Sequence, residues 1–319
     1  FMEHSTKPKF SPYFVVFAGV LAVSTASLFI RLAQREAPSL VIAAYRLGFA
    51  TVILSPMAWF RARNEIRLFS RREYLLLLLA GLFLALHFAS WISSLQYTSI
   101  ASSVVLVTTT PLWVALASPF VLKERVSFGV AIGLIVALAG SVVVGASESC
   151  QLIELPRALT EVNCSLPQDA TVGEALRGNF LALVGAWCAA GYLLIGRRVR
   201  SSLSLLSYTF AVYGVAAVIL WIVILLSGLR TTGYSALTYV CMLMLAIVPQ
   251  LIGHSSFNWA LRYLPAAFVS VTLLGEPIGS SLLATIFLHE VPTLMEVLGG
   301  SFILVGIYLV SRTENKKHI

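Results

Sequence analysis

The chain has 319 residues, 58% of them hydrophobic and 11% charged, with a formal net charge of +8; its mean hydropathy is +0.89. A soluble domain carries about a quarter charged residues, so this composition excludes an ordinary water-soluble fold and points to a bilayer, where about 20 apolar residues cross a hydrocarbon core about 30 Å thick. The excess of 22 Lys+Arg over 14 Asp+Glu comes with neither a basic groove nor a nucleic-acid motif, so no nucleic-acid partner is expected and the surplus reads as topology.

A short polar stretch, Phe1 to Phe10, precedes the first apolar segment, and no cleavable signal peptide is expected there. Apolar segments then predict ten membrane-spanning helices, at about 13–32, 40–60, 74–95, 98–121, 127–146, 178–197, 204–228, 234–258, 264–288 and 293–311. Ser11-Pro12, Pro38-Ser39, Ser127 and Pro292-Thr293 mark four of the starts with a capping side chain or a proline where no N–H is needed.

With the N-terminus inside, the inner segments hold Lys7, Lys9, Arg61, Arg63, Arg67, Arg71, Arg72, Lys123, Arg125, Arg197, Arg198, Arg200, Arg262, Arg312, Lys316 and Lys317. The outer ones hold Arg31, Arg35, Arg157, Arg177 and Arg230. This asymmetry satisfies the positive-inside rule and places both termini in the cytoplasm of a cell-membrane protein. Residues 147–177 form an acidic outer linker with Glu148, Glu154, Glu161, Asp169 and Glu174. Cys150 and Cys164 both lie in it and are candidates for a disulfide in an oxidising compartment, which would contribute about 3 kcal/mol. Cys188 and Cys241 fall in spans and read as packing residues.

Sliding the chain on itself by 166 residues pairs Gly19 with Gly185, Arg31 with Arg197, Gly48 with Gly214, Tyr97 with Tyr263, Pro111 with Pro277, Glu124 with Glu290, Gly133 with Gly299 and Gly140 with Gly306. The expected fold class is therefore an all-α integral membrane protein of ten transmembrane helices, built as two inverted five-helix repeats: residues 1–146, the linker 147–177, and residues 178–319. An odd number of spans per copy makes the second copy enter from the opposite side, the construction of many carriers.

The segments Tyr97-Thr98-Ser99-Ile100-Ala101, Thr110-Pro111-Leu112-Trp113 and Lys123-Glu124-Arg125, with Gly133 and Gly140, recur as Tyr263-Leu264-Pro265-Ala266-Ala267, Gly275-Glu276-Pro277 and His289-Glu290, with Gly299 and Gly306. Together with Ala44-Tyr45-Arg46-Leu47, they resemble the duplicated EamA domain of the drug/metabolite transporter superfamily. The resemblance implies a ten-helix secondary carrier of small metabolites, often exporting them, with members that act on amino acids, nucleotide-like compounds and quaternary amines. The long outer linker with its cysteine pair departs from the short connection usual in that family.

Two ionisable residues are placed near span centres, where each costs about 2.5 to 3.5 kcal/mol on insertion scales. Arg46 is the candidate ligand for a substrate carboxylate or phosphate, and Glu276 the candidate coupling residue for a proton or cation. A direct Arg46–Glu276 pair, or bonds to carbonyls freed near Pro277, is the structural alternative. Gln250, His254 and Asn258 at i, i+4 and i+8 predict one polar face on the eighth span, matched on the third by His87 and Trp91 beside Ser90 and Ser94. Pro249 offers a bend. Trp113, Trp187 and Tyr192 are weaker site candidates. Pro111, Pro277, Glu124 and Glu290 are expected to support structure or gating, and Gly129 with Gly133 to allow close helix packing or a homodimer.

His289-Glu290 lacks the second histidine of a zinc motif, and neither G-x-S-x-G nor a P-loop occurs, so no enzyme, cofactor, metal or ATP drive is expected. The expected function is alternating-access transport of a small polar metabolite, an amino acid or related zwitterion or anion, outward through a cavity lined by spans two, three, eight and nine. The alternatives are a proton-coupled or exchange carrier for a nucleotide-like, vitamin or quaternary-amine solute, and a channel-like pore.

Overall fold

The computed structural model describes residues 10–97, 103, 106–124, 126–146, 150–154, 160–164, 172–288 and 294–315. Helices α1 (Pro12–Val23) and α2 (Ala26–Ala33) form one interrupted rod. Next come α3 (Ser39–Met57), a π-helical turn Ala58–Ala62, α4 (Arg63–Arg67) and α5 (Arg71–Ser94). They are followed by α6 (Thr110–Val121) and α7 (Phe128–Ala146). Strands β1 (Cys150–Glu154) and β2 (Thr160–Cys164) then precede α8 (Val172–Val199) and α9 (Leu205–Ser227). Helix α10 (Ala236–Leu245) continues through a π-helix, Ala246–His254, into α11 (Ser255–Ala260). Helix α12 (Ala266–Thr272), a 3-10 turn Leu273–Gly275 and α13 (Glu276–Leu288) lead to α14 (Leu294–Asn315).

Among the described residues, six segments are long and apolar enough to cross a membrane: Pro12–Ala33, Ser39–Arg67, Arg71–Ser94, Leu176–Val199, Leu205–Ser227 and Ala236–Ala260. Four shorter apolar helices, Thr110–Val121, Phe128–Gly140, Ala266–Ser280 and Val297–Val310, lie where the sequence places spans four, five, nine and ten. The outer surface is apolar, with Phe60 82%, Phe120 86% and Leu226 84% exposed. In water such a surface would be driven together; in lipid it is solvated.

The structure departs from the expected all-α chain in the linker. Strands β1 and β2 pair antiparallel, and their register sets Cys150 opposite Cys164. The residues there include β-branched Ile153, Thr160 and Val162, which favour strand over helix. Helix α8 also begins earlier than the expected residue 178, at Val172.

The breaks in the helices have local causes. Ser24 Oγ donates to the Val20 carbonyl at 2.8 Å and Thr25 Oγ1 to the Ala22 carbonyl at 2.8 Å, competing with the backbone where α1 ends. The 3-10 turn before Glu276 meets this break, since Ser24 Oγ also donates to the Glu276 carbonyl at 3.2 Å and Ser280 Oγ to the Ser24 carbonyl at 3.0 Å. Pro249 lacks an N–H and lies inside the π-helix Ala246–His254; Pro56 lies just before the π turn Ala58–Ala62.

Helices α7 and α14 approach through glycines. A Cβ on Gly133 would stand 2.7 Å from the Gly306 carbonyl oxygen, and one on Gly306 would stand 2.6 Å from that of Gly133. Gly140 faces Gly299 in the same way, its added Cβ 2.5 Å from the Gly299 oxygen. In the 166-residue register Gly133 corresponds to Gly299 and Gly140 to Gly306. Each glycine thus meets the counterpart of the other, as in contacts related by a two-fold axis.

Candidate functional site

Arg46 lies in the middle of α3 beside Ala43, Ala44 and Leu47, and is itself 1% exposed. An ionised group so placed must find partners or cost heavily. Its Nε donates to Gln250 Oε1 at 2.8 Å, and its guanidinium carbon stands 4.1 Å from the centroid of the Phe88 ring, a cation–π contact. Its Nη1 makes no hydrogen bond among the described residues. The ion pair with Glu276 that the sequence leaves open is not formed: among the described residues the ion pair within 4.0 Å is Arg197–Glu124, at 2.7 Å.

Arg46 and Glu276 instead share a cavity of about 60 Å³, whose wall also includes His87, Trp91, Pro111 and His254. That is room for several waters at about 10–15 Å³ each. His87 is fixed by a 2.9 Å contact between Nδ1 and the Gly185 carbonyl, and its ring stacks on Trp91 with centroids 5.9 Å apart. Trp91 is 6% exposed, and its Nε1 is a second buried donor without a partner among the described residues. Thr110 from α6 and Tyr192 from α8 also reach the wall, as do Val23 and Ala26 at the break between α1 and α2. Lining by four spans was therefore too few.

Gln250 and Asn258 do not line the cavity, which corrects the expected polar face. The i, i+4, i+8 spacing assumes one continuous α-helix, whereas Gln250 and His254 lie in the π-helix Ala246–His254 and Asn258 in the α-helix after it, so that His254 is offset from the other two rather than in line between them. Of the three, His254 alone is on the wall. Gln250 stands behind it, holding Arg46. Asn258 Nδ2 donates to the Tyr192 hydroxyl at 2.5 Å and the Tyr213 hydroxyl at 3.3 Å.

The 166-residue register runs through the wall. Val23 and Ala189, Trp91 and Phe257, and Val107 and Leu273 are equivalent pairs, and all six residues line the cavity. The polar groups break this equivalence: Glu276 stands where the first copy has Thr110, Tyr192 where it has Ala26, and Arg46 where the second copy has Val212. Near-symmetric apolar walls thus hold an asymmetric set of charges.

The support residues fall elsewhere. Glu124 Oε1 accepts from Arg197 Nε, and Arg197 Nη1 donates to the Leu261 carbonyl at 2.7 Å, tying the end of α8 to the turn after α6 and to the end of α11. Pro277 is buried one residue past Glu276. Glu290 lies outside the described residues. Sequence reasoning passed over Tyr213 and counted Arg200 as one more inner-loop cation, yet Arg200 is 2% exposed. Its Nε donates to the Asn258 carbonyl at 3.0 Å. The first copy carries a matching bond, Gln34 Nε2 to the Ile92 carbonyl at 3.1 Å, between the equivalent positions.

The sequence pattern of the EamA-like transporter family matches twice, at residues 10–146 and 176–312. An uncharacterized transporter of Archaeoglobus fulgidus is 26% identical over 216 residues, covering 68% of this chain and 69% of its own length. A second uncharacterized transporter of that organism is 21% identical over 293 residues, covering 91% and 93%. A crystal structure 16% identical in sequence superposes with a TM-score of 0.73 over 97% of this chain and 99% of its own, a likeness of fold. The composition, the apolar outer surface and these matches agree on a multi-pass membrane protein, and the chain belongs to the EamA-like transporter family.

Proposed function

We propose that the protein is a secondary carrier that moves a small zwitterionic or anionic metabolite, such as an amino acid, outward across the cell membrane by alternating access. The observation that carries this reading is Arg46: a guanidinium 1% exposed, on a cavity wall, with Nη1 unpartnered and no carboxylate within 4.0 Å among the described residues. A buried donor without an acceptor is costly, and a substrate carboxylate answers it with a charge-assisted bond. Trp91 Nε1 offers a second donor on the same wall. Glu276 offers the acceptor a substrate ammonium needs, or the site a coupling proton occupies when that group is absent.

Ten spans in two inverted copies are part of this proposal. Support comes from the family pattern matching twice at a spacing of 166 residues. The equivalent bonds Gln34–Ile92 and Arg200–Asn258, and the reciprocal glycine contacts of α7 and α14, support it further. Interrupted helices at the cavity, at Ser24 and at Leu273–Gly275, fit the broken helices on which carriers build central sites. A solute of amino-acid size needs the walls of a 60 Å³ cavity to part, and two near-equivalent halves give two ways for them to do so.

The test begins with thermal stabilisation of the purified protein across a library of amino acids and other small metabolites, because a ligand selective for the folded state raises apparent stability. The most stabilising solute is then followed in proteoliposomes. Preloading should accelerate its counterflow, the flux should saturate, and Arg46→Ala should abolish both while the protein still inserts. Unsaturated flux indifferent to preloading would point to a channel and overturn the carrier reading.

A further inference from the structure

We propose that the route from the central cavity to the end of α8 runs along the seam of Tyr192, Asn258 and Tyr208, and that Arg200 there is a second station for the anionic group Arg46 holds. The proposal rests on the carrier reading of the Arg46 cavity.

The repeat isolates what is special about this seam. Gln34 and Arg200 are equivalent, as are Ile92 and Asn258, and both pairs make the same side-chain-to-carbonyl bond, at 3.1 and 3.0 Å. Around the first bond the chain places Ala26, Ile42, Leu47 and Ile92, each at most 1% exposed. At the equivalent positions around the second it places Tyr192, Tyr208, Tyr213 and Asn258. One scaffold is dry on one side and lined with hydroxyl and amide groups on the other. The neutral amide of Gln34 suffices for the structural bond, so the charge of Arg200 is not needed to build the fold.

The polar side is connected and incompletely satisfied. Arg46 bonds Gln250, the Gln250 carbonyl accepts from the Tyr213 hydroxyl at 3.5 Å, Tyr213 accepts from Asn258, and Asn258 reaches both Tyr192 on the cavity wall and, through its carbonyl, Arg200. Along this chain Arg46 Nη1, Gln250 Nε2 and Asn258 Oδ1 have no hydrogen-bond partner among the described residues. Buried polar atoms left so are sites where water or a ligand group is accommodated. Arg200 itself has its Nε and Nη1 on the Asn258 and Leu203 carbonyls and no carboxylate within 4.0 Å among the described residues. A buried guanidinium with no carboxylate in direct contact among the described residues, beside hydroxyls, is a receptor for a carboxylate or similar anion.

The test uses full-length protein with its four cysteines replaced and a single cysteine introduced by Tyr208→Cys, by Asn258→Cys, or by Ile42→Cys as the dry counterpart of 208. Each variant is accepted on monodisperse elution. The probes are the anionic sulfonatoethyl and cationic trimethylammonioethyl methanethiosulfonates. At 208 or 258 the anionic reagent should react about tenfold or more faster than at 42, since a buried positive group concentrates anions. Adding Arg200→Gln should remove the anionic preference and Arg200→Lys should keep it. Thiols at 208 and 258 no more reactive than at 42, or an anion preference unchanged by Arg200→Gln, would overturn the proposal. Saturable counterflow in a protein whose 208 and 258 thiols are silent overturns this route alone; counterflow absent from the unsubstituted protein overturns the carrier reading instead.

Discussion

Arg46 donates from Nε to Gln250 Oε1 across 2.8 Å, and this bond between α3 and the π-helix orients the guanidinium so that it reaches the cavity wall. Hydrogen bonds to a charged group are worth about 1.5–3 kcal/mol. Gln250→Leu should therefore weaken solute binding by about tenfold to a hundredfold at 1.4 kcal/mol per decade. A binding isotherm on the solute found by thermal stabilisation checks this, and unchanged affinity would show that Arg46 is positioned by other contacts.

Glu36 joins the loop after α2 to the start of α10, accepting from the Ser235 backbone N–H at 2.7 Å and Thr238 Oγ1 at 2.8 Å. These bonds, the Ser235 backbone first, hold its carboxyl below the usual carboxylate range. A carboxyl depressed by folding contributes stability above its unfolded value and loses it as pH falls through the folded one. The advantage of the unsubstituted protein over Glu36→Gln in thermal unfolding should be present at pH 7 and shrink on acidification below the usual carboxylate range. A gap independent of pH would mean that the ionised form is not what the bonds favour.

Gly306→Val should destabilise the contact between α7 and α14, because an added Cβ would stand 2.6 Å from both Ala137 Cβ and the Gly133 carbonyl oxygen and 2.7 Å from the Ala137 backbone nitrogen, none of which can swing aside. Overpacking of this kind costs about 1–3 kcal/mol. Gly173→Ala, with nothing within 4 Å of its added Cβ, is the control. The fraction of folded protein left after heating in detergent should fall for the first and hold for the second.

How much of this was legible in the sequence depends on which scale carried the signal. The apolar composition and the 166-residue self-similarity are long-range patterns, and they led to the helical membrane fold and to the family. Arg46 and Glu276 were legible because a lone charge amid apolar residues is rare, and both line the cavity. The positions of Gln250 and Asn258 were not, because even i, i+4 spacing assumes one continuous α-helix, whereas the segment carrying Gln250 and His254 is π-helical and the one carrying Asn258 is α-helical. Arg200 was hidden among Arg197, Arg198 and Ser201, where it reads as a solvated cation. Comparing it with Gln34 in the other copy was the signal available, since a side-chain donor recurs at both positions. The hairpin of β1 and β2 was missed because two five-residue strands in an acidic linker leave no long-period trace.

The inverted relation of the two copies is tested most directly at one equivalent pair of exposed positions, Arg35 and Ser201. In a cysteine-free background, Arg35→Cys and Ser201→Cys are treated in oriented vesicles with a maleimide that does not cross the bilayer. The account predicts labelling from opposite faces, residue 35 from outside and 201 from inside. Labelling of both from one face would contradict it, removing the two-fold relation and the alternating-access mechanism that depends on it.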